Sequence, residues 1–294
     1  MKIRPFLKYV GGKRWLADAV ADVYRHLQCG HLIEPFCGAG SVFMAVQPER
    51  ATLNDSNVHL INLYRQIGFA DFNLGRINAE NSAQVFLFNR ARFNELIDSG
   101  EFESLESAQL LYYLNRHCFN GLMRFNQKRG HFNVPYGKYK KPFVLSDFSA
   151  YQDLFKRCDF ISGDFHHVFE SVSSDSLLFV DPPYYKTFTT YSGVPFTFED
   201  QLRLLSILES VSVPVIATNS FEKDLVEAYQ GAGFIVFKIM VSRMISSDGN
   251  RDDAAEMIAI KGISPTVFRR ILKARGLSLR QARPVKEAKL TLEV

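Results

Sequence analysis

The tetrapeptide Asp181-Pro182-Pro183-Tyr184 closes an apolar run, Leu177 to Val180, with the composition of a buried strand. Two successive prolines donate nothing to a β-ladder and cannot extend a helix beyond its first turn. They make a stiff corner at the strand's carboxyl end, where α/β sheets bind ligands. Three upstream features suit a nucleoside. Glu34-Pro35-Phe36-Cys37-Gly38-Ala39-Gly40-Ser41 is a Gly-x-Gly turn between a strand candidate and a helix candidate, and Gly38 and Gly40 let the backbone approach a ligand closely. Asp55 ends the next strand candidate, where a carboxylate can accept from both ribose hydroxyls, or can simply cap a helix. In Ser162-Gly163-Asp164-Phe165, Asp164 can accept from an adenine amino group and Phe165 can cover the ring, although the segment also reads as a plain turn. A dinucleotide site would want a glycine where Phe43 stands, which weakens a pyrophosphate reading.

The corner resembles the Asp-Pro-Pro-Tyr signature of amino methyltransferases, and their chemistry explains the residue types. An adenine amino nitrogen is a poor nucleophile because its lone pair is delocalised into the ring. The Asp181 carboxylate and the Pro182 carbonyl can hold its two hydrogens, which favours a pyramidal nitrogen aimed at a methylsulfonium. Fixed acceptors stabilise the charge that develops there. Tyr184 would stack on the base, which must leave the duplex to be reached. Methylation at cytosine C5 uses a cysteine beside a proline, and no Pro-Cys dipeptide occurs.

The elements that position these motifs alternate. Helical spacing runs from Arg14 to Leu27, then His31 to Phe36 reads as a strand, Ser41 to Val46 as a helix and Ala51 to Asn54 as a strand. Residues 57–118 are largely helical, and a loop rich in Gly, Asn and Pro follows to about residue 142. Strand signals return at 159–162, 177–180 and 213–218, with helices at Glu199 to Glu209 and Glu222 to Tyr229. Strands at Ile235 to Val241 and Glu256 to Ile260 have no helix between them, which predicts an antiparallel edge pair. The fold class is α/β, a doubly wound and mostly parallel sheet. It divides into a catalytic domain over 1–60 and 159–262, an inserted and mainly helical domain over 61–158, and a basic tail over 263–294 that is either a helical appendage or a loosely held end.

The chain has 294 residues, 47% hydrophobic and 22% charged, with a net charge of +4. That is an ordinary globular composition, without an apolar run long enough to span a bilayer. Met1-Lys2-Ile3-Arg4-Pro5 lacks the apolar stretch of a signal peptide, so the cytoplasm is the expected address, at the nucleoid if the source is a bacterium. Cys29, Cys37, Cys118 and Cys158 are widely spread, which predicts reduced thiols and no metal site. Charge distribution says more than net charge. No acidic residue lies between Glu106 and Asp147, whereas Arg116, Arg124, Lys128, Arg129, Lys138, Lys140 and Lys141 do, interleaved with aromatic residues. Such a pattern suits phosphates and bases, or a solvated loop over aromatic core residues.

The chain is similar to the Dam-type (D12 class, α-arrangement) DNA adenine N6-methyltransferases over about residues 6–262. Phe6-Leu7-Lys8-Tyr9-Val10-Gly11-Gly12-Lys13 resembles the family's Lys-Trp-x-Gly-Gly-Lys element, with Tyr9 in place of the tryptophan. The resemblance implies a Rossmann-like class I fold and S-adenosylmethionine as cofactor. It implies cofactor contacts from Tyr9, Lys13, Phe36, Gly38, Gly40, Asp55, Asp164, Phe165 and Asp181, and catalysis by Asp181, Pro182, Pro183 and Tyr184. Arg116 to Phe125 and Gly130 to Tyr139 resemble the family's target-recognition hairpin, placed at about 116–142. By that resemblance Arg124 reads a guanine, Leu122 and Pro135 touch a thymine methyl, and Phe119 and Asn120 fill the space left by the flipped adenine. Lys8, Arg116 and Tyr139 complete the expected DNA contacts. Ser242 to Arg251 resembles a late family loop. The implied target is adenine in GATC of double-stranded DNA, methylated by a monomer or weak dimer with no obligate protein partner. Rival readings are methylation of RNA or of a glutamine amide, and a DNA-binding protein on a decayed methyltransferase fold.

Overall fold

Apolar residues three and four apart build α1 (Arg14–His26), which buries Leu16, Val20 and Val23. The chain continues through β1 (His31–Glu34), α2 (Ser41–Val46), β2 (Arg50–Asp55), α3 (Val58–Phe69), α4 (Ala83–Asp98), α5 (Leu105–His117) and α6 (Ser149–Phe155). It then forms β3 (Cys158–Ser162), β4 (Ser176–Val180), α7 (Phe198–Ser210), β5 (Val215–Ser220), α8 (Lys223–Gly231), β6 (Ile235–Ser242), β7 (Asp253–Lys261), α9 (Pro265–Ala274) and β8 (Arg280–Gln281). This computed structural model describes residues 3–186, 196–242 and 253–282.

The strands form one sheet in the order β3-β2-β1-β4-β5-β7-β6-β8. The first five strands in that order pair in parallel, and β7 lies antiparallel between β5 and β6. Successive strand side chains point to opposite faces. Leu32, Leu53, Leu177 and Ile216 therefore join one core with α1, α2, α3 and α6. Ile33, Leu178, Val180 and Ala217 join the other with α7 and α8. All five residues of β4 are buried, as expected of a strand covered on both faces.

Helices α3 to α6 lie between β2 and β3 and share the first core with the sheet. The Phe155 ring of α6 stacks 5.5 Å from Phe43 of α2 and 4.9 Å from Tyr64 of α3. Side-chain caps fix the helix starts: Asn57 for α3, Ser82 for α4, Ser104 for α5, and a Thr197–Asp200 capping box for α7.

Three sequence expectations change, and of the two readings of the tail its described part takes the helical one. Helix α6 was not anticipated, because it is short and spans barely two turns. Strand β5 ends at Ser220, two residues later than expected. The antiparallel pair is not an edge pair, since β7 is flanked on both sides and β8 pairs with β6. The described part of the tail is docked: Phe268 and Leu272 of α9 are fully buried, and Arg275 pairs with Asp22 of α1. Among the described residues, no helix is long and apolar enough to cross a membrane.

Because Phe155 belongs to both the inserted helices and the sheet's core, Phe155→Ala should cost about 3–5 kcal/mol. Denaturant unfolding should keep a single transition at a lower midpoint. Two transitions, with only one shifted, would show that the inserted helices fold apart from the sheet.

Candidate active site

The chain visits β1, β2 and β3 in one direction and returns to place β4 on the other side of β1. That reversal opens a crevice between the carboxyl ends of β1 and β4. The glycine loop leaves β1 and the Asp181 corner leaves β4, so two motifs about 140 residues apart become neighbours through the pairing of Ile33 with Leu178. Asp55 ends β2 and Asp164 follows β3, so the four sequence motifs stand in a row along one sheet edge.

Several interactions shape the glycine loop. Gly38 has φ +46° and Gly40 φ +63°, both in the left-handed region. A Cβ at Gly38 would stand 3.0 Å from the Tyr9 ring, so the loop and the N-terminal segment are packed together. Asp55 accepts the Gly38 N–H on one oxygen (3.0 Å) and the Asn57 N–H on the other (2.9 Å). Burial raises its pKa, and these two bonds oppose the rise. The Tyr64 hydroxyl donates to the Gly38 carbonyl at 2.6 Å. Asn54 donates to the carbonyls of Pro35 (2.8 Å) and Gly163 (3.3 Å), tying the loops after β1 and β3 together. Glu34 is 2% exposed, and its Oε1 and the Ser41 Oγ have no hydrogen-bond partner among the described residues. Burial pushes the Glu34 carboxyl well above the carboxylate range, against the pull of the Phe43 N–H, and the Asp181 charge adds to the rise.

The acid corner is held from three sides. Lys13, 5% exposed, places Nζ 2.9 Å from Asp181 Oδ1 and 2.8 Å from the Gly11 carbonyl. The Thr218 hydroxyl donates to the same Oδ1 at 2.6 Å. Gln201 donates to the Pro183 carbonyl (2.8 Å) and accepts from Asn219 (3.0 Å). Asn219 Oδ1 takes the Tyr185 N–H at 3.1 Å, and Ser220 Oγ donates to the Tyr185 carbonyl at 2.7 Å. Tyr184 lies with its ring centroid 4.6 Å from Lys13 Nζ. Pro182 is buried.

Around Asp164 an aromatic cluster forms. Phe36, Phe165 and Phe196 lie 5.4–5.8 Å apart, and Phe165 is 4% exposed. The Arg203 guanidinium sits 4.4 Å over the Phe165 ring and donates to Asp164 at 2.6 Å. Burial pushes the Asp164 carboxyl up, but Arg203 and the His166 N–H outweigh it and hold the pKa below the usual value.

The segment 116–142 folds back on itself with antiparallel bridges Cys118–Tyr136 and Phe125–Phe132. It displays Phe119 (49% exposed), Arg124 and Pro135, with Leu122, Asn120 and Tyr139 partly exposed. Lys8 Nζ lies 3.5 Å over the Tyr139 ring, whose hydroxyl takes the Asn120 N–H at 2.9 Å. Arg124 Nε donates to Asn133 at 3.1 Å. Arg116 stands apart: it is 6% exposed, donates to the Phe6 and Phe143 carbonyls, and anchors the N-terminal segment. That burial speaks against the expected DNA contact. The late loop expected at Ser242 to Arg251 lies outside the described residues beyond its first position. Among the described residues, no group of His, Cys, Asp or Glu could hold a metal ion.

Sequence reasoning did not find Lys13's pairing with Asp181, nor Thr218, Asn219, Ser220, Gln201, Asn54, Arg203 or Glu256, whose Oε2 accepts the Tyr184 hydroxyl. A signal existed for three of them. Thr218-Asn219-Ser220 is a polar triplet at the carboxyl end of an apolar strand, where site residues collect.

Comparison with known proteins agrees with this geometry. The family model for D12 class N6 adenine-specific DNA methyltransferases matches residues 9–245. A DNA adenine methylase of Vibrio cholerae serotype O1 is 36% identical over 277 residues, covering 88% of this chain and 96% of that protein. A DNA adenine methylase of Escherichia coli (strain K12) is 36% identical over 276 residues, covering 88% and 95%. A DNA N-6-adenine-methyltransferase of Escherichia phage P1 is also 36% identical, but this chain spans only 34% of its length. With its acid corner and glycine loop set side by side across one sheet crevice, the chain belongs to the D12 class of N6 adenine-specific DNA methyltransferases.

Proposed function

We propose that the protein transfers a methyl group from S-adenosylmethionine to N6 of an adenine flipped out of duplex DNA, within GATC, in the cytoplasm. The observation that carries the reading is the fixation of Asp181. Both of its described partners, Lys13 and Thr218, bind Oδ1, which leaves Oδ2 to accept an amine hydrogen.

The residues present fit the cofactor. Gly38 and Gly40 take left-handed backbone that lets the loop turn tightly, a Cβ at Gly38 would press on the Tyr9 ring, and Glu34 Oε1 and Ser41 Oγ are buried polar atoms without a partner among the described residues. Asp55 suits ribose hydroxyls, Asp164 with Phe165 and Phe36 an adenine ring, Tyr9 packs against the loop at Gly38, and Lys13 reaches from the same N-terminal segment to the acid corner. When bound, S-adenosylmethionine supplies an electrophilic methyl group. The chain's own residues prepare the amine. Asp181 and the Pro182 carbonyl take its two hydrogens and so localise the nitrogen lone pair. The corner needs no rearrangement as positive charge grows on nitrogen, because Thr218, Gln201, Asn219 and Ser220 already hold it. Tyr184 stacks on the extruded base, and Pro183 stiffens the turn between them. Holding both reactants in one orientation lowers the entropic part of the barrier.

Residues 61–158 serve target recognition in this reading. The exposed Arg124 guanidinium has the fork geometry that pairs bidentately with guanine. Leu122 and Pro135 meet a thymine methyl, Phe119 and Asn120 fill the vacated stack, and Lys8 with Tyr139 borders the site.

Asp181→Ala should abolish methyl transfer while calorimetric cofactor binding largely persists; loss of both together would make Asp181 structural. Thr218→Val keeps the shape of the side chain but removes a bond to a charged acceptor, a loss of about 1.5–3 kcal/mol. Single-turnover transfer should slow by about tenfold or more, with the melting temperature lowered by only a few degrees. A wild-type rate would mean that Thr218 does not orient the carboxylate. Plasmid modified in vivo should resist a nuclease blocked by N6-methyladenine in GATC; protection at another sequence would overturn the target and leave the reaction class standing.

A further inference from the structure

We infer that Glu256 of β7 is a positioning residue for the transfer reaction, anchoring the Tyr184 hydroxyl and thereby the ring against which the target base stacks. The inference rests on the functional reading above and adds a residue to it. Tyr184 donates its phenolic hydrogen to Glu256 Oε2 at 2.6 Å. Strand topology makes this contact possible. Because β7 lies antiparallel beside β5, Glu256 falls directly opposite Ser220, the last residue of β5. Ser220 itself grips the Tyr185 carbonyl, so the acid arrives where the corner ends.

The bond does two things. A phenol free to tilt would present a variable surface, whereas a charge-assisted O–H···O⁻ bond is short and strong and fixes the ring plane. The carboxylate also pushes electron density toward the ring. An electron-rich face attracts positive charge, and the base gains positive charge as the new N–C bond forms. Lys13 Nζ lies 4.6 Å from the ring centroid, so the ring already holds one cation. Burial, then the charges of Asp181 and Glu256, push the Tyr184 phenol well above its usual pKa, against the pull of the Thr218 hydroxyl. The new N–C bond forms as the methyl–sulfur bond breaks and leaves a neutral thioether, and the surplus amine proton passes to the Asp181 carboxylate and on to solvent; Glu256 touches neither the amine nor the methyl group and acts through Tyr184.

The test measures single-turnover methyl transfer to a duplex containing the target adenine, for wild type, Glu256→Gln, Glu256→Ala, Tyr184→Phe and the Tyr184→Phe/Glu256→Ala double variant. Fluorescence of 2-aminopurine at the target position reports stacking of the flipped base without turnover. Glu256→Ala and Tyr184→Phe should each slow transfer by about tenfold, with KM for DNA within about twofold. The double variant should be no slower than either single one, because both remove the same bond. Glu256→Gln retains an acceptor and should stay within about threefold of wild type. In Glu256→Ala the 2-aminopurine signal should rise, since a loosened ring quenches less. Wild-type rate and fluorescence in Glu256→Ala, or multiplicative effects in the double variant, would overturn the inference. Should Glu256→Ala lower the melting temperature sharply, Glu256→Gln decides: a rate as low as that of Tyr184→Phe or lower overturns it. If wild type transfers no methyl group, the functional reading fails and the inference falls with it.

Discussion

Parallel pairing of β1 with β4 is the constraint on which the site depends. Leu32 with Leu177 and Ile33 with Leu178 lock the two strands in register, buried on both faces. A one-residue slip would turn every strand side chain to the wrong core. It would also move the glycine loop relative to the acid corner. The inserted helices and hairpin leave the sheet after β2 and return at β3, so they can be elaborate without disturbing that central pair.

The acid corner shows how a charged group is kept ready inside a protein. Asp181 and Lys13 form an ion pair with side chains 17% and 5% exposed, and desolvating both is costly. Hydrogen bonds from Thr218 to the carboxylate and from Lys13 to the Gly11 carbonyl offset part of that cost. Such a pair contributes little net stability. In the proposed reaction its use is geometric: a fixed dipole facing the place where charge would develop needs no reorganisation. Asn54 likewise fixes the glycine loop by joining the loops after β1 and β3 through one amide.

Much of this was legible in the sequence, and for a physical reason. Pro182-Pro183 after an apolar run admits few backbone shapes, and Gly38-x-Gly40 before a helical one supplies the left-handed shapes that other residues avoid. The strands around them announced themselves by apolar runs bounded by turns. Thr218 and Asn219 carried only the faint mark of a polar triplet at a strand end, and Gln201 and Glu256 are common types whose roles arise only once strand order is known. Nothing local says that β7 inserts between β5 and β6, so nothing local says that Glu256 faces Ser220 and reaches Tyr184. Arg116 misled in the opposite way. It sits in a basic stretch and reads as surface, yet all but the first two residues of α5 are buried and its guanidinium caps backbone carbonyls.

The central claim is that this corner delivers a methyl group to an adenine amine. Its most direct test is incubation of purified protein with duplex DNA and S-adenosylmethionine labelled on the methyl group, followed by digestion to nucleosides and mass spectrometry. The account predicts that the label appears in N6-methyldeoxyadenosine and in no methylated cytosine. Label in a cytosine product, or duplex left unlabelled by active, cofactor-binding protein, would contradict it.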